Sequence, residues 1–340
     1  AHARQRMTDS ILSVRDLAVE FDTFGGVIKA VRDVSFDLTA GQTLAIVGES
    51  GCGKSVTVQS LMGLIPMPPG RITHGRALFK NQDLLSTGAR GIRGHHMGMI
   101  FQDPMTSLNP TMRIGDQIAE TLVVHKQYSR KQAQDEAVSL LARTHIPEPG
   151  RRANQYPIEI SGGMLQRAMI AQALACEPAI LIADEPTTAL DVTIQAQILE
   201  LMQTLQQDNG MSIILITHDL AVVARMADQV AVMYAGESVE TGSVEDIFYQ
   251  PAHPYNQGLQ QAMTSNQQPD RVLTPIPGSP PDLFSPPKGC GYCKRCPHAM
   301  SVCAEHPPYL TAVDASSHQS RCWLHHELAP VDNNPVRRPL

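Results

Sequence analysis

The chain has 340 residues, of which 42% are hydrophobic, and its formal net charge at pH 7 is −6. A chain of this length and composition can bury one large core and a smaller second one, so we expect two domains. Its 27 basic residues are dispersed and no run of about 18 apolar residues occurs, so the sequence predicts neither a nucleic-acid-binding surface nor a transmembrane helix.

The N-terminal part of the chain is predicted to form antiparallel strands. Residues 1–7 lack the apolar core of a secretion signal, and we expect a disordered segment or a cloning remnant of a protein that stays in the cytoplasm. Apolar residues then alternate along Ile11–Glu20 and Val34–Leu38, which is typical of strands with one buried face. Phe21 ends the first of these strands, where its ring could either stack on an adenine or pack in the core.

A glycine-rich loop follows the apolar run Leu44–Val47 and leads into a predicted helix. Its residues are Gly48, Glu49, Ser50, Gly51, Cys52, Gly53, Lys54 and Ser55, and Val56 continues the helix. Glycines let successive N–H groups of such a loop turn inward around a phosphate, and the positive end of the helix adds its dipole. Lys54 is then placed to reach the terminal phosphates and Ser55 to ligate Mg²⁺. Strand, loop and helix together predict a nucleoside triphosphate site rather than an ordinary glycine-rich turn.

Cys52 lies in this loop, two residues before Lys54 and close to the start of the predicted helix. A nearby ammonium group and a helix N-terminus both stabilise a thiolate, so we expect the pKa of the Cys52 thiol to be lowered. A thiol alkylator is then expected to inactivate the protein, and bound nucleotide to protect it.

Two further segments carry groups that suit phosphate chemistry. The apolar run Met97–Phe101 predicts a strand that delivers Gln102 to its end, where the amide could reach Mg²⁺ or an attacking water, although a lone glutamine is more often polar surface.

Helical spacing of apolar residues over Ile114–Thr144 predicts a helical subdomain. It is followed by Ser161-Gly162-Gly163, where a capping serine and two small residues would leave a helix N-terminus open as a second anion site.

Two later apolar strands also end in functional candidates. The run Ala179–Ala183 leads directly into Asp184 and Glu185. Asp184 is expected to hold Mg²⁺ through a water molecule, and Glu185 to polarise the water that attacks the γ-phosphate. The run Ser212–Thr217 ends at His218, which we expect to contact the γ-phosphate and to order Glu185, although a histidine at a strand end is usually structural.

In their order and spacing these motifs resemble the nucleotide-binding domain of ABC transporters. The matching features are Gly48–Ser55 as Walker A, Gln102 as the Q-loop, Ser161-Gly162-Gly163 as the signature, Asp184-Glu185 as Walker B with the catalytic glutamate, Asp191 as the D-loop and His218 as the switch histidine. More particularly, the segments Gln102–Pro110 and Ala183–Thr193 are similar to the ATPase subunits of oligopeptide/dipeptide permeases.

The resemblance implies an α/β fold and a division of the chain. The fold would be a P-loop NTPase of the ABC type, with a RecA-like core, an antiparallel β subdomain and a helical subdomain at about residues 103–167. This nucleotide-binding domain would cover residues 8–255, and residues 256–340 would form a small Pro/Cys-rich C-terminal extension.

The resemblance also implies a mechanism and partners. Two such domains clamp two ATP molecules with their Mg²⁺, each signature serves the partner's nucleotide, and hydrolysis at Glu185 releases the clamp. The implied partners are a second ATPase, expected to be a non-identical sister chain, two membrane permease subunits and, indirectly, an extracytoplasmic peptide-binding protein. The implied location is the cytoplasmic face of the bacterial inner membrane, and no nucleic acid is involved.

Five of the seven cysteines lie in the C-terminal extension, where frequent prolines favour an extended lobe over a helical core. The spacing of Cys290, Cys296, Cys303 and Cys322 resembles the [4Fe-4S] motif of peptide-permease ATPases, with Cys293 as a spare. Cys290, Cys293 and Cys296 by themselves are also similar to a ferredoxin run. Structural zinc is the alternative, because four-cysteine zinc sites are common and two histidines lie nearby.

Other functions fit parts of this pattern. Related importers carry nickel, glutathione or antimicrobial peptides, and none of these residues is expected to touch the transported substrate. A soluble ABC ATPase of translation or DNA repair would usually carry two such domains, a coiled-coil insertion or basic arms, which this sequence lacks. A metal sensor that only binds nucleotide would not need the hydrolytic residues Glu185 and His218.

Overall fold

The structure of the protein is a computed structural model, and it describes residues 10–188, 190–262, 275–313 and 317–329. The strands are β1 (Ser10–Thr23), β2 (Gly26–Thr39), β3 (Thr43–Val47), β4 (Gly70–Phe79), β5 (Gln82–Asp83), β6 (Met97–Ile100), β7 (Ile180–Asp184), β8 (Ser212–Ile216), β9 (Gln229–Tyr234), β10 (Glu237–Ser243), β11 (Thr311–Ala312) and β12 (Gln319–Ser320). The α-helices are α1 (Lys54–Leu61), α2 (Leu84–Thr87), α3 (Pro104–Ser107), α4 (Ile114–Lys126), α5 (Arg130–Arg143), α6 (Pro149–Arg152), α7 (Gly162–Leu174), α8 (Val192–Asn209), α9 (Leu220–Met226), α10 (Val244–Tyr249), α11 (Pro254–Gln261) and α12 (Ser301–Glu305). Short 3-10 turns cover Pro157–Glu159, Cys293–Arg295 and Trp323–His325. The expected N-terminal segment 1–7 lies outside the described residues.

The chain divides into two compact units. Unit 1 consists mainly of Thr87–Thr217, and unit 2 combines Leu12–Asp37 and Leu44–Ser86 with the described part of His218–Leu340. Among the described residues, no helix is both long enough and apolar enough to cross a membrane.

A parallel sheet of β6, β7 and β8 forms the centre of unit 1. Met97 lies opposite Ile180, and Ile180 lies opposite Ser212, so the three strands begin at the same level. Every residue in them is buried, which explains why continuous apolar runs rather than alternating ones predicted these strands. Because parallel strands end at the same edge, Gln102 and the Asp184-Glu185 pair emerge together.

The predicted helical subdomain is confirmed in unit 1, where α4, α5 and α7 pack around one apolar core. Its members recur at helical spacing, for example Ile118 and Leu122 along α4. Ser129 starts α5 with a capping box, in which its hydroxyl accepts the N–H of Gln132 and the Gln132 side chain accepts the N–H of Ser129. The apolar spacing and the serine cap therefore both favour a helix at this position.

Unit 2 contains a mixed sheet with the strand order β5-β4-β1-β2-β10-β9-β3. β1 pairs antiparallel with β4, and β9 pairs antiparallel with β10. β3 runs parallel to β9 and leads into the glycine-rich loop. The opening strands are present but longer than predicted. The first part of β2 is only partly buried and has no alternating apolar pattern, so its sequence did not indicate a strand.

Residues 275–313 and 317–329 of unit 2 form what we term the C-terminal lobe, which consists of short elements. β12 of the lobe pairs antiparallel with β10. The ring of Tyr292 packs on the rings of Tyr234 and Tyr255, with centroid distances of 5.2 and 5.4 Å. Arg321 donates a hydrogen bond to the carboxylate of Asp33 on β2 (2.9 Å). The pairing of β12 with β10, the aromatic cluster and the ion pair thus hold the lobe against the sheet of unit 2.

Candidate functional site

The glycine-rich loop of unit 2 connects β3 to α1. Gly53 precedes α1 with φ +100°, a left-handed conformation that favours glycine. Lys54 begins the helix and is buried, and its Nζ donates hydrogen bonds to the carbonyl oxygens of Gly48 (2.9 Å) and Glu49 (3.0 Å). A phosphate bound in the loop would replace these carbonyls as the partner of the ammonium group. Ser50 and Gly51 are exposed in the loop, and Ser55 and Val56 are half-buried in the first turn of α1.

Glu49 of the loop has contacts that the sequence did not predict. Its carboxylate oxygens accept hydrogen bonds from the two terminal nitrogens of Arg295, at 2.8 and 3.1 Å. Its backbone N–H donates to the hydroxyl oxygen of Tyr255 (2.9 Å). Arg295 follows Glu49 by 246 positions, and no local pattern signals such a long-range pair.

The predicted lowering of the Cys52 thiol pKa is wrong. Cys52 is only 5% exposed, and its Sγ lies 3.9 Å from Nζ of Lys54. Burial raises the pKa of this thiol, because removal from water penalises the thiolate more than the nearby ammonium group stabilises it. Rapid alkylation of Cys52 is therefore not expected.

The carboxylates of unit 1 lie at the end of β7. Asp184 is 4% exposed, and Glu185 follows it in a left-handed conformation with φ +46°. The structure brings Gln102 to Glu185: Nε2 of Gln102 donates to Oε2 of Glu185 at 3.1 Å. The hydroxyl of Thr188 donates to the same oxygen at 2.9 Å, and the N–H of Glu185 donates to the carbonyl of Ile216. The left-handed backbone and the two side-chain donors hold the Glu185 carboxylate in one orientation. A fixed orientation suits a carboxylate that must act on one water molecule.

The candidate second anion site lies at the start of α7 in unit 1. Ser161 occupies the N-cap position with extended backbone, as predicted, but its side chain makes no capping hydrogen bond. Ser161 and Gly162 are exposed, and Gly163 is half-buried. The first N–H groups of a helix have no partner within the helix, so this terminus can accept an anion. At the neighbouring α8, Asp191 does cap the helix, because its carboxylate accepts the N–H of Ile194 (3.0 Å).

Two candidates of unit 2 lie near the ends of their elements. His218 is exposed just before α9, whose N-cap is Asp219. Phe21 is half-buried near the end of β1, opposite Gly70 of β4. These positions agree with both the ligand-contacting and the structural interpretations of the two side chains.

The five cysteines of the C-terminal lobe line one cavity; they are Cys290, Cys293, Cys296, Cys303 and Cys322. Burial raises the pKa of Cys290 to about 12, of Cys296 to about 11 and of Cys322 to about 12. In the part of the chain that the structure describes, no group of three or more His, Cys, Asp or Glu side chains is arranged to hold a metal ion. The predicted metal site therefore has no support from the side-chain geometry, although the cysteines do lie together.

Comparison with known proteins gives the family. A model described as "ABC transporter" matches residues 31–188, and one described as "Oligopeptide/dipeptide transporter, C-terminal region" matches residues 239–303. The chain is 56% identical to the dipeptide transport ATP-binding protein DppD of Bacillus subtilis over 94% of this chain and 96% of that protein. The chain belongs to the ABC-transporter ATP-binding proteins of this oligopeptide/dipeptide family. It is also 55% identical to the oligopeptide transport ATP-binding protein OppD of Bacillus subtilis (96% and 92% covered) and 50% identical to OppD of Escherichia coli (89% and 90% covered).

Solved structures show the same fold. The ATP-binding cassette MJ0796, in a dimeric post-hydrolysis state bound to ADP and Pi, matches with a TM-score of 0.61 and 25% identity over 68% of this chain and 98% of that one. CbiO1 of Clostridium perfringens matches with a TM-score of 0.59 and 27% identity over 71% and 92%. The predicted α/β P-loop fold of the ABC type is confirmed. As a member of this family the protein is an ATPase that uses ATP and Mg²⁺ and is a component of an ABC transporter.

Proposed function

We propose that the chain is the ATP-hydrolysing subunit of an importer for oligopeptides or dipeptides. The observation that carries this substrate class is the match of residues 239–303 to the oligopeptide/dipeptide C-terminal region, which lies outside the matched ABC cassette. Relatives named for dipeptide and oligopeptide transport support the same class. ATP-driven closure of a pair of cassettes would then move the membrane permease subunits.

We assign roles to the site residues from their chemistry. Gly48–Val56 holds the triphosphate, Phe21 stacks on adenine, and His218 contacts the γ-phosphate. Ser55 and Gln102 supply oxygen ligands for Mg²⁺, and Asp184 holds the ion through a water molecule. Ser161, Gly162 and Gly163 bind the nucleotide of the partner cassette. Oxygen ligands of this kind are those that Mg²⁺ prefers. Glu185 polarises the attacking water, and its hydrogen bond from Gln102 supports this role because it orients the carboxylate.

The assembly and the location are part of the same proposal. We place the protein at the cytoplasmic face of a bacterial inner membrane, with two permease subunits, a non-identical sister ATPase and, indirectly, a peptide-binding protein. The dimeric cassette MJ0796 supports pairing of two cassettes. In this proposal residues 8–255 form the nucleotide-binding domain and residues 256–340 form the extension.

Reconstitution tests this proposal. The chain is incorporated into liposomes with its permease subunits, sister ATPase and binding protein, and uptake of labelled di- to pentapeptides is compared with that of nickel and glutathione. Peptide uptake that requires ATP is the expected result, and a Glu185→Gln subunit should abolish it. Uptake of nickel or glutathione without uptake of peptides would contradict the substrate class but leave the ATPase assignment intact.

We further propose that Cys290, Cys296, Cys303 and Cys322 hold a [4Fe-4S] cluster, with Cys293 as a spare. Support comes from the cavity that these cysteines line together and from thiolate being the usual cluster ligand. A single zinc ion, with bonds of about 2.3 Å, would draw the sulfurs closer together than a four-iron cluster does. Structural zinc is the alternative, and the metal content of the purified chain distinguishes the two.

Anaerobic purification tests the cluster. A broad absorption band at about 400 nm and about four irons per chain are expected, with loss of both in Cys303→Ser but not in Cys293→Ser. One zinc per chain without colour would replace the cluster by a structural zinc site. A chain with neither metal would contradict both.

A further inference from the structure

Arg295 of the C-terminal lobe uses every hydrogen-bond donor of its guanidinium, and two of these donors contact the glycine-rich loop. The residue ends the 3-10 turn Cys293–Arg295 and is buried. Two N–H groups bind the carboxylate of Glu49, and the others donate to the hydroxyl of Tyr234 (3.2 Å) and to the carbonyls of Pro277 (2.9 Å) and Ile276 (3.3 Å). Five donors with five acceptors leave the guanidinium a single orientation.

The partner of Arg295, Glu49, lies in the glycine-rich loop Gly48–Ser55, which we term the phosphate loop. Glu49 is held at three points: its carboxylate by Arg295, its N–H by Tyr255 and its carbonyl by Nζ of Lys54. Burial raises the pKa of Tyr255 well above its ordinary value, so its hydroxyl stays protonated and uncharged beside the loop. The position of Glu49 therefore depends on two residues that come 206 and 246 positions later, one bound to its backbone and one to its side chain.

The charge of Glu49 gives this contact a consequence for nucleotide binding. A carboxylate in a loop that receives a triphosphate repels the ligand unless a cation neutralises it. The partly buried bidentate ion pair with Arg295 does this and also fixes the direction of the Glu49 side chain. Without it, Glu49 would be free to turn its negative charge toward the phosphates.

We propose that Arg295 is a positioning residue for ATP binding: it acts through Glu49 to hold the phosphate loop in its binding conformation, so that the C-terminal lobe sets the affinity for ATP. This role rests on the ATPase activity of the family and is independent of the transported substrate. It needs no metal in the lobe, only the folded turn that carries Arg295.

The test compares two buried arginines of the same lobe. Arg321 also docks the lobe, through Asp33 on β2 and the carbonyl of Ser238 on β10, and these two contacts lie outside the phosphate loop. For Arg295→Gln we expect an ATP dissociation constant and KM raised about tenfold, with kcat at saturating ATP changed less than about twofold. For Arg321→Gln we expect similar thermal destabilisation and unchanged ATP affinity. Binding is measured by titration of the purified full chain with Mg-ATP.

A double-mutant cycle tests whether Arg295 acts through Glu49. In a Glu49→Gln background, Arg295→Gln should change the ATP dissociation constant by less than about twofold, because the pair is already broken. Equal loss of affinity in Arg295→Gln and Arg321→Gln would overturn the proposal, as would a full effect of Arg295→Gln in the Glu49→Gln background. If Arg295→Gln does not fold, Arg295→Lys takes its place in the cycle: it keeps the charge but not the fork, and wild-type affinity in that variant would contradict positioning.

Discussion

A Glu185→Gln variant is expected to bind ATP as the unaltered protein does and to hydrolyse it at least about 100-fold more slowly. The amide has nearly the shape of the carboxylate but no basic oxygen that can take a proton from the attacking water. Because Oε2 of Glu185 only accepts hydrogen bonds, from Gln102 and Thr188, the amide oxygen can keep both contacts. Phosphate release at saturating Mg-ATP and equilibrium titration with ATP measure the two properties.

A second glutamate of unit 1 provides the control for this substitution. Glu200 is exposed on α8, and Glu200→Gln makes the same chemical change away from the strand end. Hydrolysis by Glu200→Gln should equal that of the unaltered protein. If Glu185→Gln kept more than about a tenth of the normal rate, another group would have to be the base.

The fold could be predicted from the sequence where local patterns determine it. Strands β6, β7 and β8 are buried along their whole length, so each appears as an apolar run with the candidate residue directly after it. Helical spacing of apolar residues identified the helical subdomain in the same way. In both cases the pattern lies within one element, and burial of that element selects the residues that form the pattern.

The details that the sequence did not reveal depend on surroundings that come from distant parts of the chain. The Cys52 pKa was predicted from its neighbours in sequence, but the degree of burial, which decides the direction of the shift, comes from the folded loop. The contact between Arg295 and Glu49 joins positions 246 residues apart. A capping bond from Ser161 was expected from residue type alone, and the observed backbone satisfies the N-cap position without it. Residue types were thus more predictable than their contacts.

A Gly53→Ala variant is expected to bind ATP at least about tenfold more weakly and to lower the free energy of unfolding by about 2–4 kcal/mol. Gly53 has φ +100°, which an alanine adopts only under strain. A Cβ at this position would also collide with the backbone carbonyl oxygen of Ala30 in β2. Backbone cannot move away as the end of a flexible side chain can, so the loop must shift instead. The shift would displace Lys54, the next residue, from the position in which it meets the phosphates.

Gly41 separates the effect of the collision from that of backbone strain. It has φ +75°, lies outside the phosphate loop, and a Cβ there would meet no atom within 4 Å. Gly41→Ala should therefore cost only about 1–2 kcal/mol of stability, from the left-handed backbone, and leave ATP affinity unchanged. Thermal or denaturant unfolding and ATP titration of both variants make the comparison. Equal destabilisation of the two, with normal ATP affinity in Gly53→Ala, would mean that the carbonyl of Ala30 does not fix the loop and that the phosphate site tolerates a displaced helix start.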